Sequence, residues 1–359
     1  MSANKENRYE WEEPGAFEVV PNVYRIPLPL PGDSLRAVNV YLLLGSDRVV
    51  LIDSGQFLEV ARKALTGALA LVGVEVGDVS EFLITHIHRD HYTQAIALRR
   101  EFHGKVSIGA GERSSFDMIQ RNEQDSFERQ FGLLRLCGAQ ALYETVSAFG
   151  SDDSEIINLY ERPDDWLYDG TVLHVGGRNL SVISTPGHTR GHVVFLDSDS
   201  KVLFAGDHVL PHITPSIALE ADRPRLPLGD YLGSLNKVRQ MPDSMLLPAH
   251  GPVVPSSHKR IDELLLHHDL RLRQTYSALG VGGMSAFEVA RHLKWTRRET
   301  DLGDLDLFNS MLAIFETKYH LDLLVELGVL SSKVEDEVEF YAPNATQYPG
   351  DLIQSRLLV

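Results

Sequence analysis

Between Thr85 and Ala95 the chain reads THIHRDHYTQA and packs His86, His88, Asp90 and His91 into one short run. Imidazole nitrogens and carboxylate oxygens are the donors that divalent zinc, iron and manganese take up. In a turn that leaves a strand, side chains two apart can point the same way. His86 and His88 can therefore reach one ion together. Asp90 and His91, at the start of the next helix, can turn toward a second ion beside it. The other reading is an ordinary polar turn after the apolar stretch EFLI, so donors elsewhere in the chain must decide.

Three more follow downstream. STPGHTRGH offers His188, LFAGDHV offers Asp207 and LLPAHGP offers His250. Each sits where an apolar run ends and small residues or prolines begin. Strand ends on one rim of a sheet sandwich converge on one pocket. A set of nitrogen and oxygen donors suits zinc, with iron or manganese as alternatives. No cysteine belongs to the set, which argues against copper or a structural thiolate site.

The elements that must position these donors are legible in the apolar pattern. FEVVPNVYRIPLP, AVNVYLLLGS and RVVLIDSG are short aliphatic runs broken by Pro, Gly and Asp, the pattern of a hairpin sheet. FLEVARKALTGALALVG has helical spacing and ends in Gly. VSEFLITHIH is a strand entering the histidine loop, HYTQAIALRREF a helix leaving it, and KVSIGAGE a further short strand. Residues 112–165 read as a long helical insert, carrying Met118, Phe127, Phe131, Leu134 and Leu136, either packed on the sheet or lying over a site. Strands resume near Trp166 with TVLHVGG, NLSVISTPGHT, HVVFLDSD and KVLFAGDHVL. A proline-rich loop, HITPSIALEADRPRLPLGD, precedes a helix, YLGSLNKVRQM, and a strand, SMLLPAHG. Two strand-rich halves with helices predict an α/β (α+β) fold: a four-layer αββα sandwich over residues 1–255. After Pro255 the chain turns helical, so residues 256–359 are expected to form a smaller, mostly helical domain and tail. SSKVEDEVEFYA in that region suits a small hairpin or wing.

Composition narrows the function. With 34 basic and 50 acidic residues the formal net charge is −16. A general nucleic-acid binder needs the opposite sign, and anionic membranes are equally disfavoured. The single cysteine, Cys137, sits in the apolar helical pattern LLRLCGAQAL and reads as a buried thiol. The polar, acidic start carries no signal or transit pattern, and no run approaches the ~20 apolar residues of a membrane helix. We therefore expect a cytoplasmic protein with a small-molecule substrate, no nucleic-acid or membrane partner, and dimerisation through the C-terminal helices or tail.

As an ordered set, LIDSG, THIHRDH, TPGHTRGH, FAGDHVL and LPAHGP resemble the metallo-β-lactamase-fold hydrolase superfamily over roughly residues 15–255. More weakly, HHDLRLRQ and MSAFEVARHL are similar to the winged-helix-like C-terminal domain of one hydrolase branch. The resemblance implies that His86, His88 and His188 hold one metal and Asp90, His91 and His250 a second. It implies that Asp207 bridges them, and that Asp53 and His192 orient the ligands. Two such ions, zinc in the first instance, activate a shared water at neutral pH for attack on a carbonyl or phosphoryl centre. Asp90 is the candidate to orient that nucleophile and pass a proton to the leaving group. The implied activity is hydrolysis of a thioester, ester or lactone, with RNA cleavage as the alternative. The remaining candidates are weaker. His208 reads as structural, His212 as equally able to face the pocket or not, Arg223 and Arg225 as possible anion binders, and His267 and His268 as surface residues. GVGG at 280–283 reads as a helix-ending turn and lacks the surroundings of a phosphate loop.

Overall fold

In the computed structural model, residues 9–353 are described except 47, 122–127, 129–130, 150–157, 221, 281, 346 and 351. Phe127 lies outside the described residues. β1 (Phe17–Val20), β2 (Val23–Pro29), β3 (Ala37–Leu44) and β4 (Val49–Ile52) form an antiparallel meander. β5 (Val79–Ile84), β6 (Lys105–Gly109) and β7 (Asp165–Leu167) extend it in parallel, so one seven-stranded sheet runs in chain order. Parallel pairing needs crossovers. Helices α1 (Glu59–Leu71) and α2 (Arg89–Phe102) supply the first two. Helices α3 (Arg113–Arg121), α4 (Leu133–Leu136) and α5 (Gln140–Phe149) lie between β6 and β7.

The second sheet has the order β12-β11-β10-β9-β8. Its strands are β8 (Val172–Val175), β9 (Arg178–Ser184), β10 (Val193–Asp197), β11 (Val202–Gly206) and β12 (Met245–Pro248). Within it β11 and β12 pair in parallel and the other pairs are antiparallel. The crossover between β11 and β12 is α6 (Pro227–Arg239).

The layering follows from side-chain alternation. In β10, Val193 and Phe195 enter the layer between the sheets, while Val194 and Leu196 join the core beneath the helices. In β5, Leu83 faces the inter-sheet layer, and Phe82 and Ile84 face α1 and α2. α1 answers with Ala61, Leu65, Ala68 and Leu69, one helical stripe. Tyr41 and Phe204 close the layer between the sheets edge-on, 5.4 Å between ring centroids. This is the expected helix–sheet–sheet–helix sandwich.

Past Pro255 come α7 (Ser257–Ala278), α8 (Ala286–His292) and α9 (Leu307–Glu326). Their starts are set by side-chain caps from Ser256, Ser285 and Asp306. The expected hairpin is β14 (Leu330–Glu335) and β15 (Val338–Pro343), turning through Asp336 and Glu337 at positive φ. A two-residue strand, β13 (Met284–Ser285), adds to its edge and is too short to read in the sequence. Apolar packing is continuous across residue 255. Val194 and Leu203 of the second sheet, Leu235 of α6, Ile261 of α7 and Ile314 of α9 share one cluster. No helix among the described residues is long and apolar enough to cross a membrane.

The helical reading of 112–165 needs correction at its end. Residues 158–164 are irregular and β7 begins at Asp165. Pro163 has no amide to donate to a helix. Asp164 instead binds β6 twice, its amide donating to the Val106 carbonyl and its side chain accepting from the Val106 amide.

Phe195 is fully buried between the sheets. Phe195→Ala is expected to lower stability by about 3–5 kcal/mol, read as a shifted urea midpoint with an unchanged slope.

Candidate metal centre

β9 and β11 are each antiparallel to β10, so they run the same way. Their C-terminal ends, with those of β4, β5 and β12, open on one rim. Asp53 follows β4, His86 and His88 follow β5, His188 follows β9, Asp207 follows β11 and His250 follows β12. The two sheets are pinned together there. Asn39 donates to the carbonyls of Pro248 and Gly251 at 3.0 and 2.8 Å, and Tyr41 donates to Pro248 at 2.8 Å.

The donors fall into two groups. His86 Nε2, His88 Nδ1 and His188 Nε2 lie 3.0–3.2 Å from one another, and Asp207 Oδ2 is 3.3 Å from His188 Nε2. Ligands at about 2.0–2.1 Å around a tetrahedral ion stand about 3.3–3.4 Å apart, so this spacing is close to that of a ligand shell. In the second group, Asp90 Oδ2 is 3.5 Å from His91 Nε2 and 3.4 Å from His250 Nε2. Asp207 Oδ1 is 3.7 Å from His91 Nε2 and 3.4 Å from His250 Nε2. Asp207 thus turns one oxygen to each group.

The outward nitrogen of every histidine meets an acceptor, which fixes its tautomer. His188 Nδ1 donates to Ser216 O at 2.7 Å, His250 Nδ1 to Ala37 O at 2.7 Å and His88 Nε2 to Leu219 O at 3.3 Å. His91 Nδ1 donates to Asp53 Oδ2 at 2.9 Å. His86 Nδ1 donates to Thr85 Oγ1 at 3.0 Å, and that hydroxyl donates on to Asp53. In each neutral ring the lone pair therefore points inward. His192 takes the amide of Asp207 on Nε2 at 3.1 Å and rests its Nδ1 on Thr185 Oγ1 at 2.9 Å. Gly206, at φ +50°, leaves room for this: a Cβ there would lie 2.7 Å from both His192 Nε2 and Thr85 Oγ1.

Burial makes the arrangement costly without a cation. His91 Nε2, His250 Nε2 and Asp207 Oδ1 are buried with no hydrogen-bond partner, and each such atom forfeits about 1–3 kcal/mol. Burial holds the first group neutral: it pushes His86 well down and His88 to about 3, and lowers His188. Burial also opposes a charge on His91, but Asp90, Asp53 and Asp207 overcome it and lift His91 to about 10. His250 is raised against its own burial by Asp207 and Asp90. Asp90 and Asp207, which burial alone would raise, are held low by these imidazoles. In the second group a proton on His91 stands where a cation would. Nitrogen and oxygen donors, converging lone pairs and stranded buried atoms together fit a divalent metal.

All the expected ligands converge, and Asp53 and His192 sit behind them. His208 is buried edge-on to Tyr231, outside both groups. His212 is half-buried beside Gly251, next to His250. Cys137 is buried and its thiol is pushed up to about 12 by burial. His267 is exposed as expected, but His268 is not: it is fully buried, hydrogen-bonded to His320 at 3.1 Å and edge-on to Tyr231. α7 buries Ile261, Leu264, Leu265, His268 and Leu272, so helical spacing carries His268 inward. Sequence reasoning missed the carbonyls of Ala37, Ser216 and Leu219, which leave no residue-type signature. It also missed Thr85, which stands within the motif.

A family model described as the metallo-beta-lactamase superfamily matches residues 33–250. The chain belongs to the metallo-β-lactamase superfamily. It is 28% identical over 332 residues to the probable metallo-hydrolase YqjP of Bacillus subtilis, covering 88% of this chain and 96% of that protein. It is 27% identical over 262 residues to the atrochrysone carboxyl ACP thioesterase of Aspergillus fumigatus, covering 72% of this chain and 65% of that one. A solved metallo-β-lactamase family protein of Thermus thermophilus superposes with TM-score 0.76 and 28% identity, over 91% of this chain and 100% of the other. A β-lactamase domain protein of Burkholderia ambifaria gives 0.71 and 27%, over 91% and 93%. Membership of the metallo-β-lactamase superfamily supports a metal-dependent hydrolase.

Metal uptake by the second group must displace the proton held by His91, whose value of about 10 leaves it charged at neutral pH, and the raised His250 competes in the same direction. Adding Zn2+ to metal-free protein at neutral pH is expected to release protons, seen with an indicator dye in weak buffer. Affinity should fall about tenfold for each pH unit lowered, per proton displaced, below the His91 value of about 10. Uptake without proton release contradicts this electrostatic account.

Proposed function

We propose that the protein is a dinuclear metallo-hydrolase that opens a thioester, ester or lactone carbonyl of a small molecule. The observation that carries this reading is the pair of donor groups sharing Asp207. Two divalent ions held there, zinc in our reading, supply Lewis acidity that acidifies water toward neutral pKa and polarises the scissile carbonyl. His86, His88 and His188 would hold one and Asp90, His91 and His250 the other, with Asp207 between them.

The chain's own residues do the rest. Asp90 is the ligand carboxylate with the most exposure, 14% of its side chain, so it stands where substrate and water enter. It orients the attacking water, takes a proton from it and passes that proton to the departing group. His188 and His250 are kept from turning by their carbonyl partners, which preserves the geometry through the reaction.

Support for an acyl substrate comes from two sides. One relative is named as an acyl-carrier thioesterase. A cavity of about 510 Å3 also lies where α4, the proline-rich loop and α9 meet, lined by Leu133, Leu136 and Tyr319, by the cations Arg223, Arg225 and Lys318, and by the acids Glu128, Asp222 and Asp322. Its loop is the one that orients the ligands. The Leu219 carbonyl accepts from His88, and the Tyr319 hydroxyl donates to Ala218 O at 3.4 Å. In this reading Leu133 and Leu136 meet the acyl group, and Arg225 would exchange its Glu326 partner, and Arg223 its bond to the Glu220 carbonyl, for an anionic handle such as a carboxylate or phosphate.

The test is a panel of acyl-CoAs, glutathione thioesters, lactones and single-stranded RNA assayed with wild type and Asp90→Asn. Turnover of a thioester or lactone is expected, with kcat about 10²–10⁴-fold lower in Asp90→Asn. RNA cleavage without ester turnover overturns the substrate class. Full rate in Asp90→Asn with full metal content overturns the role of Asp90.

A further inference from the structure

One buried hydrogen-bond chain stands outside both donor groups yet touches the two turns that carry the three histidines of the first. Glu112 is fully buried just after β6. Its Oε1 accepts the Ile87 amide at 3.3 Å and the Thr189 hydroxyl at 2.6 Å, and its carboxylate also takes the Gly191 amide. Ile87 lies between His86 and His88, and Thr189 follows His188. Its Oε2 is 3.3 Å from Ser115 Oγ, which is itself 3.3 Å from Glu220 Oε2. Glu220 follows Leu219, whose carbonyl orients His88, and its Oε1 is buried with no hydrogen-bond partner.

The serine hydroxyl has one proton and cannot donate to both carboxylates. Two buried carboxylates bridged in this way must share a proton. Glu112 takes the amides of Ile87 and Gly191 and the Thr189 hydroxyl, whereas Glu220 takes one amide, that of Arg190, so Glu112 is the ionised member. Glu220 holds the proton on Oε2, donates to Ser115 Oγ, and Ser115 donates to Glu112 Oε2. Burial raises Glu112 to about 7, while burial and the facing Glu112 raise Glu220 to about 9, which agrees with this order. The backbone is shaped for the contact. A Cβ on Gly191 would lie 2.1 Å from Glu112 N, and one on Gly111 would lie 2.8 Å from the Gly191 Cα. Glycines thus bring the two loops to backbone contact.

We propose that Glu112 and Glu220, linked through Ser115 by one shared proton, are positioning residues that lock the His86–His88 turn, the His188 turn and the Leu219 carbonyl into one ligand-holding frame. The proposal rests on reading the donor groups as metal sites, and it is independent of the substrate. The chain acts through the histidines and touches no reacting atom.

The test measures Zn2+ affinity by competition with a chromophoric chelator, alongside thermal unfolding of the metal-free protein. Glu112→Ala is expected to bind the ion of the first donor group about 10–100-fold more weakly. Thr189→Val, which removes one donor, is expected to move the same way by less and serves if Glu112→Ala does not fold. Glu220→Gln keeps a donor toward Ser115 and is expected to bind within about twofold of wild type, whereas Glu220→Ala is not. Equal loss in Glu220→Gln and Glu220→Ala overturns the shared proton. Wild-type affinity in folded Glu112→Ala or in Thr189→Val overturns the frame. Wild-type protein that takes up no Zn2+ overturns the underlying metal reading instead.

Discussion

The carboxylate of Asp207 offers one oxygen to His188 and its neighbours and the other to His91 and His250. Placing that group sets the demands on much of the fold. Asp207 must leave β11 at a tight bend, so a glycine with positive φ precedes it and His192 holds its amide. His188 must arrive from β9 on the same rim, which the antiparallel step through β10 ensures. His250 must follow β12, which requires the parallel crossover of α6. His86, His88 and His91 come from the other sheet, so the sandwich must bring two sheets into register at one edge. Asn39 and Tyr41 do this by binding the end of β12 from β3.

Charge and burial make the rim two-sided. The histidines of the first group are neutral by burial, whereas the second group sits among Asp53, Asp90 and Asp207, which hold a proton on His91 in the metal-free chain. Buried charges persist where they are paired. A cation at the second group would replace the proton on His91, and one at the first would meet the inward nitrogens of three neutral imidazoles that stand against one another. The same loops carry the outer acceptors, so the site is a network in which the proline-rich loop, the histidine turns and C-terminal helix α9 meet through Ala218, Leu219 and Tyr319.

Much of this is legible in the sequence. Strand runs such as VVFLD are buried on both faces because they feed the inter-sheet layer and the helical layer alternately. The donors can be read because metal ligation restricts residue type and each donor follows a strand end. What stays hidden has a physical reason in each case. A carbonyl acceptor such as Ser216 O can belong to any residue. Glu112 reads as an ordinary acid after a short strand until its burial is known. His268 reads as a surface residue although its spacing from Ile261, Leu264 and Leu272 marks the inner stripe of α7. An adjacent histidine pair obscures which member faces in.

The central claim is that one shared carboxylate joins two ion sites. Metal-free protein should be dialysed against graded Zn2+ and its content read by emission spectrometry, for wild type and Asp207→Ala. Two equivalents per wild-type chain are expected, with affinity at both sites reduced in Asp207→Ala. A single equivalent in wild type, or two equivalents bound undiminished by Asp207→Ala, would contradict it.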